Sequence, residues 1–324
     1  MEDTINIFCA TDNNYAPYCG IMLTSLFESN KDCHFVVYIF QDGSVTEENV
    51  KKYERLAIQY GNEIVLKTVA ESMVKGFPIN EEMRITLPTY YRLLAADLLP
   101  KDVHKIIYLD CDAIVVGDIK QLWNVCLNGL AFAGVKDRDV VQEDVCTRLG
   151  YHSSYGYVNA GVLVLNLDYW REHAVLEKAS RFVSTHYSKL LWMDQDVLNG
   201  TLYDKKKVLP ARYNFMTLFF LKENWEKCTQ EQHNYYIEES EKMVVMHYAG
   251  KDKPWLYRSY VGPFFSEWEN RRRKALWRNC RDIKPLQKHI KYLVKRHLFP
   301  CMIRNQRFRW AVVPDNKKYY NCVL

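Results

Sequence analysis

Apolar residues fall in short runs along this chain, and the runs alternate with segments whose apolar positions recur at helical spacing. Residues 5–10 (INIFCA) are short, apolar and rich in β-favouring types, and the polar stretch TDNN stops them, which predicts a buried strand. Over 15–29, Tyr18, Met22, Leu23 and Leu26 share one helical face. A second strand is predicted at 34–40 (HFVVYIF). The helix after it should be opened by Thr46, with Asn49 at the capping-box position and Glu47 and Glu48 in the first turn, where the helix dipole favours acids. A third strand lies near 63–69, and within 80–99 a helix starts around Pro88, a residue suited to a first turn. Residues 105–116 (KIIYLDCDAIVV) read as one apolar strand interrupted by two carboxylates. Further strands are expected at 131–135, 158–167 and 243–250, and helices at 168–187 and 194–202. Strands this apolar cannot keep one face wet. Alternating with helices, they predict an α/β fold with a parallel sheet covered on both faces and ligands at the carboxyl ends of its strands.

The D-x-D of YLDCD is the first chemical signal. On an extended chain residues i and i+2 face the same side, so Asp110 and Asp112 would aim two like charges at one spot. Such a pair beside an apolar strand is costly unless a cation sits between them. A hard divalent ion such as Mn²⁺ or Mg²⁺ takes oxygen ligands and keeps positions open for phosphates. His247 ends another apolar strand in VVMHYAGKDKPW and adds an imidazole; Gly250 allows close backbone approach, and Lys251 and Lys253 supply charge for a diphosphate. Asn159 precedes a small-residue step in YVNAGVLVLN, where a ligand can lie against backbone and an amide can read hydroxyls, although a simple turn would read the same way. Asp194, Gln195 and Asp196 open a helix, and Arg92 is either an ion-pair partner or a ligand for donor oxygens.

Composition is that of an ordinary globular protein, but charge is divided unevenly. The formal net charge is +5, yet fourteen Lys/Arg and a single acid fall between Arg271 and Arg309, so the body is acidic and the tail strongly basic. Trp268, Trp277, Tyr292, Leu293, Leu298, Phe299, Phe308 and Trp310 are interleaved with those charges, a pattern suited to an anionic membrane surface. No nucleic-acid-reading module accompanies it. The ten cysteines include no C-x-x-C pair, and Cys9 and Cys111 sit in apolar runs as small buried hydrophobes. With no basic n-region at the start and no apolar run near the roughly 18 residues of a spanning helix, the expected location is cytoplasmic, peripheral on the inner face of the cell membrane.

Taken in order, ATDNNYAPY, PTYYRL, YLDCDAIV, VNAGVLVLNLDYWR, DQDVLNG, YNFM and HYAGKDKPW resemble glycosyltransferase family 8, in particular bacterial lipopolysaccharide and lipooligosaccharide α-galactosyltransferases and glucosyltransferases. The resemblance implies a GT-A fold, a Rossmann-like mixed sheet with helices on both faces, over 1–260, followed by a basic helical region over 261–324. It implies a retaining hexosyltransferase that moves galactose or glucose from a UDP-sugar to a hydroxyl of a cell-surface glycan. By the same resemblance Ala10, Asp12 and Asn14 would hold uracil and ribose, and Asp110, Asp112 and His247 would coordinate Mn²⁺. Gly250 and Lys253 would bind phosphate. Arg92, Asp137, Asn159, Asp194 and Gln195 would surround the sugar, with Cys111 and Ala160 beside the donor. Gln195 holds the place of a catalytic nucleophile yet is an amide, which favours front-face attack within a short-lived ion pair; Asp194 is the alternative nucleophile. Two rivals are a D-x-D phosphatase, disfavoured because Ile114 stands where such enzymes normally carry Thr or Val, and a UDP-sugar-binding protein without activity.

Overall fold

The computed structural model describes residues 4–78, 87–250, 253–256 and 263–280. Strand β1 (Ile5–Thr11) leads through a polar loop into α1 (Ala16–Ser29), whose entry is fixed by Tyr15 N–H donating to Asp12 Oδ1 at 2.8 Å. Then come β2 (Phe35–Gln41), α2 (Glu47–Tyr60) and β3 (Glu63–Thr68). The helix expected from Pro88 is instead a 3₁₀ segment, Leu87–Leu94, followed by the single turn α3 (Ala95–Leu98). After β4 (Lys105–Leu109) and β5 (Ala113–Val115) the chain runs through α4 (Lys120–Trp123), β6 (Phe132–Lys136), α5 (Gln142–Leu149) and β7 (Val158–Asn166). Helices α6 (Leu167–Glu172), α7 (Val175–His186) and α8 (Met193–Thr201) precede β8 (Lys206–Leu209) and β9 (Phe215–Met216). The described chain closes with α9 (Lys222–Trp225), α10 (Gln230–Glu241), β10 (Val245–His247) and α11 (Phe265–Lys274).

Seven strands form one sheet in the order β3-β2-β1-β4-β7-β6-β8, and β5-β10-β9 make a second, small one. Alternation along the strands divides the interior in two. Ile5, Ile7, Cys9, Ile107 and Leu109 face a core shared with α1, whereas Phe8, Ile106 and Tyr108 face the 3₁₀ segment, α7 and α8. The large sheet is mixed, because β7 runs antiparallel to both β4 and β6. A strand apolar on both faces looks the same in either direction, so the apolar pattern that predicts a wholly parallel sheet cannot register this reversal.

Three other expectations change. Residues 105–116 are not one strand: β4 belongs to the large sheet and β5 to the small one, and the two aspartates occupy the turn between them, closed by Ala113 N–H to Asp110 O at 3.1 Å. Thr46 does precede α2, but its side chain makes no capping bond; Asn49 points instead to Asn13 Oδ1 at 2.9 Å. Trp268 and Trp277, read as part of a membrane-facing surface, are buried with the α1 core. The Trp277 indole packs against Gly20, where an added Cβ would come within 2.2 Å of it, and its N–H donates to Asn49 Oδ1 at 2.7 Å. The other six aromatic and apolar residues of that pattern lie outside the described residues.

Candidate active site

The turn that carries Asp110 and Asp112 sits where the two sheets part, and neighbours on both sides fix it. Asp110 N–H donates to Gly161 O of β7 at 2.8 Å, while Tyr248 N–H donates to Asp112 O at 3.0 Å. The small sheet brings in the imidazole: β10 pairs antiparallel with β5, His247 opposite Ala113, and parallel with β9, His247 opposite Met216. His247 Nε2 therefore faces Asp112 Oδ1 at 3.1 Å and Asp110 Oδ2 at 3.9 Å. Ligand atoms of these three residues all lie within 4.8 Å of one another, the one such cluster among the described residues. A donor set of two carboxylates and an imidazole, with no thiolate, suits a hard divalent cation and fits the ion expected from the sequence.

Gly161 is what lets the cluster close. A Cβ there would lie 2.3 Å from His247 Cε1 and 2.8 Å from Asp110 Oδ2. The glycine of V-N-A-G accommodates the imidazole and carboxylate themselves, a role that becomes visible only when two distant strands are placed side by side.

Each carboxylate has its own cationic partner. Asp110 Oδ1 accepts from Arg92 Nη2 at 2.9 Å and from Tyr108 Oη at 2.6 Å. Asp112 accepts from Lys253 Nζ, which also donates to Tyr248 O at 2.7 Å. Burial works to raise the Asp112 carboxyl, but Lys253 and His247 outweigh it and hold the group well below the usual carboxylate range. Arg92 is buried over the Tyr108 ring, 4.3 Å from its centre, and donates to Ala160 O. Burial disfavours its charge, yet Asp110 and Asp194 more than compensate and hold the guanidinium firmly protonated.

Asp194 lies on the far side of Arg92, with Oδ2 2.9 Å from Arg92 Nε and Oδ1 accepting from Thr89 Oγ1 at 2.8 Å. The Arg92 Nε–H points to Thr89 O at 2.9 Å, so the contact with Asp194 is Coulombic and leaves Oδ2 buried without a hydrogen bond. Burial pushes the Asp194 carboxyl up to about 6 against the pull of Arg92. Beside it, Gln195 Oε1 accepts from Ala160 N at 3.0 Å and Asn159 Nδ2 at 3.1 Å, and Gln195 Nε2 donates to Asp137 Oδ2 at 3.0 Å. Asp137 Oδ2 also accepts from Asn159 Nδ2 at 3.2 Å, and Asp137 Oδ1 from Arg138 N at 2.7 Å.

Ten of the residues expected from the sequence thus share one network of hydrogen bonds and ion pairs: Arg92, Asp110, Asp112, Asp137, Asn159, Ala160, Asp194, Gln195, His247 and Lys253. Cys111 ties this network to β1 through its thiol, which donates to Ala10 O at 3.1 Å. Asp12 is turned towards α1, Asn14 is exposed in the same loop, and Gly250 follows β10 at φ +84°, a backbone state that favours glycine. Thr89, Tyr108 and Asn214 also take part. They lie in the segments PTYYRL, YLDCDAIV and YNFM that carry the resemblance, but the sequence reading gave none of them a role, since what each touches is set by the fold or by the D-x-D turn.

The chain as a whole is similar to known proteins. A sequence model described as glycosyl transferase family 8 matches residues 6–259. General stress protein A of Bacillus subtilis is 29% identical over 257 residues, covering 78% of this chain and 88% of that protein. The lipopolysaccharide 1,2-glucosyltransferase of Escherichia coli K12 is 28% identical over 302 residues, 91% of this chain and 87% of its own length. Among solved structures, the galactosyltransferase LgtC in complex with donor and acceptor sugar analogs superposes with a TM-score of 0.73 at 26% identity, over 85% of this chain and 99% of that one.

Proposed function

The chain belongs to glycosyl transferase family 8 and is a retaining hexosyltransferase acting on a glycan, and from that premise we propose that it moves galactose or glucose from a UDP-sugar with the help of Mn²⁺ or Mg²⁺. What carries this reading is the convergence of Asp110, Asp112 and His247 from two separate sheets onto one point. A cation held there would supply positive charge to the diphosphate as the sugar–phosphate bond breaks. Lys253, already beside Asp112, is placed to add a second charge to the leaving group, and Gly250 lets the backbone come close. Ala10, Asp12 and Asn14 at the carboxyl end of β1 hold the nucleoside. Arg92, Asp137, Asn159, Ala160, Asp194 and Gln195 line the hexose, with Cys111 underneath.

The hydrogen bonding also bears on how configuration is retained. Gln195 Oε1 is occupied by two N–H donors, which leaves it a weak nucleophile. One Asp194 oxygen is bound to Thr89 and the other lies against Arg92, so both are already engaged. Neither is poised as the carboxylate of a covalent intermediate. Attack on the same face from which UDP departs, with a phosphate oxygen taking the acceptor proton, fits these side chains better. Lipopolysaccharide or lipooligosaccharide is the favoured acceptor, reached from the inner face of the membrane through the basic segment Arg271–Arg309, most of which lies outside the described residues.

The test is a panel of UDP-sugars scored for UDP release, with Mn²⁺ present or chelated. UDP-galactose or UDP-glucose should be consumed only with metal, and Asp110→Asn or Asp112→Asn should abolish turnover while the melting transition survives. Full activity in chelator, or in either variant, rules the reading out.

A further inference from the structure

We infer that Asn214 is a positioning residue that holds a proton of His247 on Nδ1, so that Nε2 is the ring nitrogen presented to a cation between Asp110 and Asp112. This rests on the metal reading above. The argument needs only donors whose identity is beyond choice. Gly161 N–H can only donate, and it points at one terminal atom of the Asn159 side chain at 3.0 Å; that atom is the amide oxygen, Oδ1. The same oxygen lies 2.9 Å from a terminal atom of Asn214, which must then be its NH₂. What remains of Asn214 is its oxygen, and this sits 2.9 Å from His247 Nδ1. An oxygen acceptor at that distance requires a proton on Nδ1. In the neutral ring Nε2 then carries the lone pair.

The other end of Asn159 agrees. Its NH₂ faces Asp137 Oδ2 and Gln195 Oε1, both acceptors, and Gln195 is itself oriented by Ala160 N–H. Two backbone N–H groups of β7 therefore orient three side-chain amides and, through them, one imidazole. All of it is buried: Asn159, Asn214 and His247 expose no more than 7% of their surface. Nε2 lies 3.1 Å from Asp112 Oδ1 and 3.9 Å from Asp110 Oδ2, which makes it the ring nitrogen that a cation between the carboxylates would take. The residues proposed to line the hexose thus also set the ligand atom at the proposed metal site.

The experiment uses the intact chain with ¹⁵N-labelled histidine. Metal-free protein at mildly alkaline pH should show a histidine protonated on Nδ1 that disappears in His247→Gln. In Asn214→Ala that resonance should move to the Nε2–H form, and Mn²⁺ binding, followed by the electron-spin signal of the free ion, should weaken about 10- to 100-fold. Asn214→Leu keeps the volume but offers no acceptor for Nδ1–H, so it should lose the Nδ1–H form and the affinity as Asn214→Ala does, which a merely space-filling role would not produce. A His247 without a proton on Nδ1 in the parent protein, unchanged Mn²⁺ binding in Asn214→Ala, or full affinity in Asn214→Leu would each overturn the assignment. A parent protein that ignores Mn²⁺ while showing the Nδ1–H form would remove the metal reading and leave the relay standing.

Discussion

At Asp194 burial and the charge of Arg92 pull in opposite directions, and burial wins, carrying the carboxyl to about 6. Because folding raises this group above its unfolded value, its stabilising contribution is complete below about pH 4 and is lost as pH rises through about 6; a shift of this size corresponds to about 3 kcal/mol. Asn cannot titrate. The stability of the native chain relative to Asp194→Asn should therefore fall by about 3 kcal/mol between about pH 3 and 7, measured by urea unfolding at each pH. A flat difference would mean that the carboxyl titrates normally. The two carboxylates of YLDCD and the distant histidine were legible in the sequence because charge inside apolar runs needs a reason. The role of Asn214 was not, although YNFM was among the matching segments, because an asparagine before a two-residue strand differs from a turn residue only through what it touches.

At the scale of elements, α11 and the turn after it complete the interior of the fold. Trp277 fills the space above Gly20, and its N–H satisfies Asn49, whose own amide reaches Asn13 in the loop after β1. Truncation to Ala removes a large buried ring and unpairs a side-chain oxygen, so Trp277→Ala should cost about 3–5 kcal/mol in denaturant unfolding. Weaker UDP binding should follow, because the Asn13 loop loses its brace. A variant as stable as its parent would show the indole to be dispensable. The sequence reading sent this tryptophan to a membrane because charge and aromatic content were averaged over the tail; only the packing separates a residue that docks on a glycine from its neighbours. Strand and helix positions were read with more success, since apolar periodicity reports burial directly. Strand direction and the break at the D-x-D turn were not, since both depend on which sheet a strand joins.

For the molecule as a whole, the uneven charge sets the expectation. No helix among the described residues is long and apolar enough to cross a membrane. The proposed attachment rests on the charge of the basic segment Arg271–Arg309. The intact chain should float with vesicles containing anionic phospholipid, bind neutral vesicles poorly, and detach as salt rises towards 1 M, where the screening length falls to about 3 Å. Equal binding to neutral vesicles, or none to either, would leave the tail a solvated surface.

The separation of the site's parts along the chain has a consequence for biosynthesis. Lys253 lies 141 residues after the Asp112 it binds, and His247 is delivered by the last strand described. A ribosome would thus release both acidic side chains long before the imidazole emerges. A product cut short between the D-x-D turn and β10 would carry the signature motif yet lack the imidazole of the proposed cation site, so such truncated translation products should be inert towards nucleotide sugars.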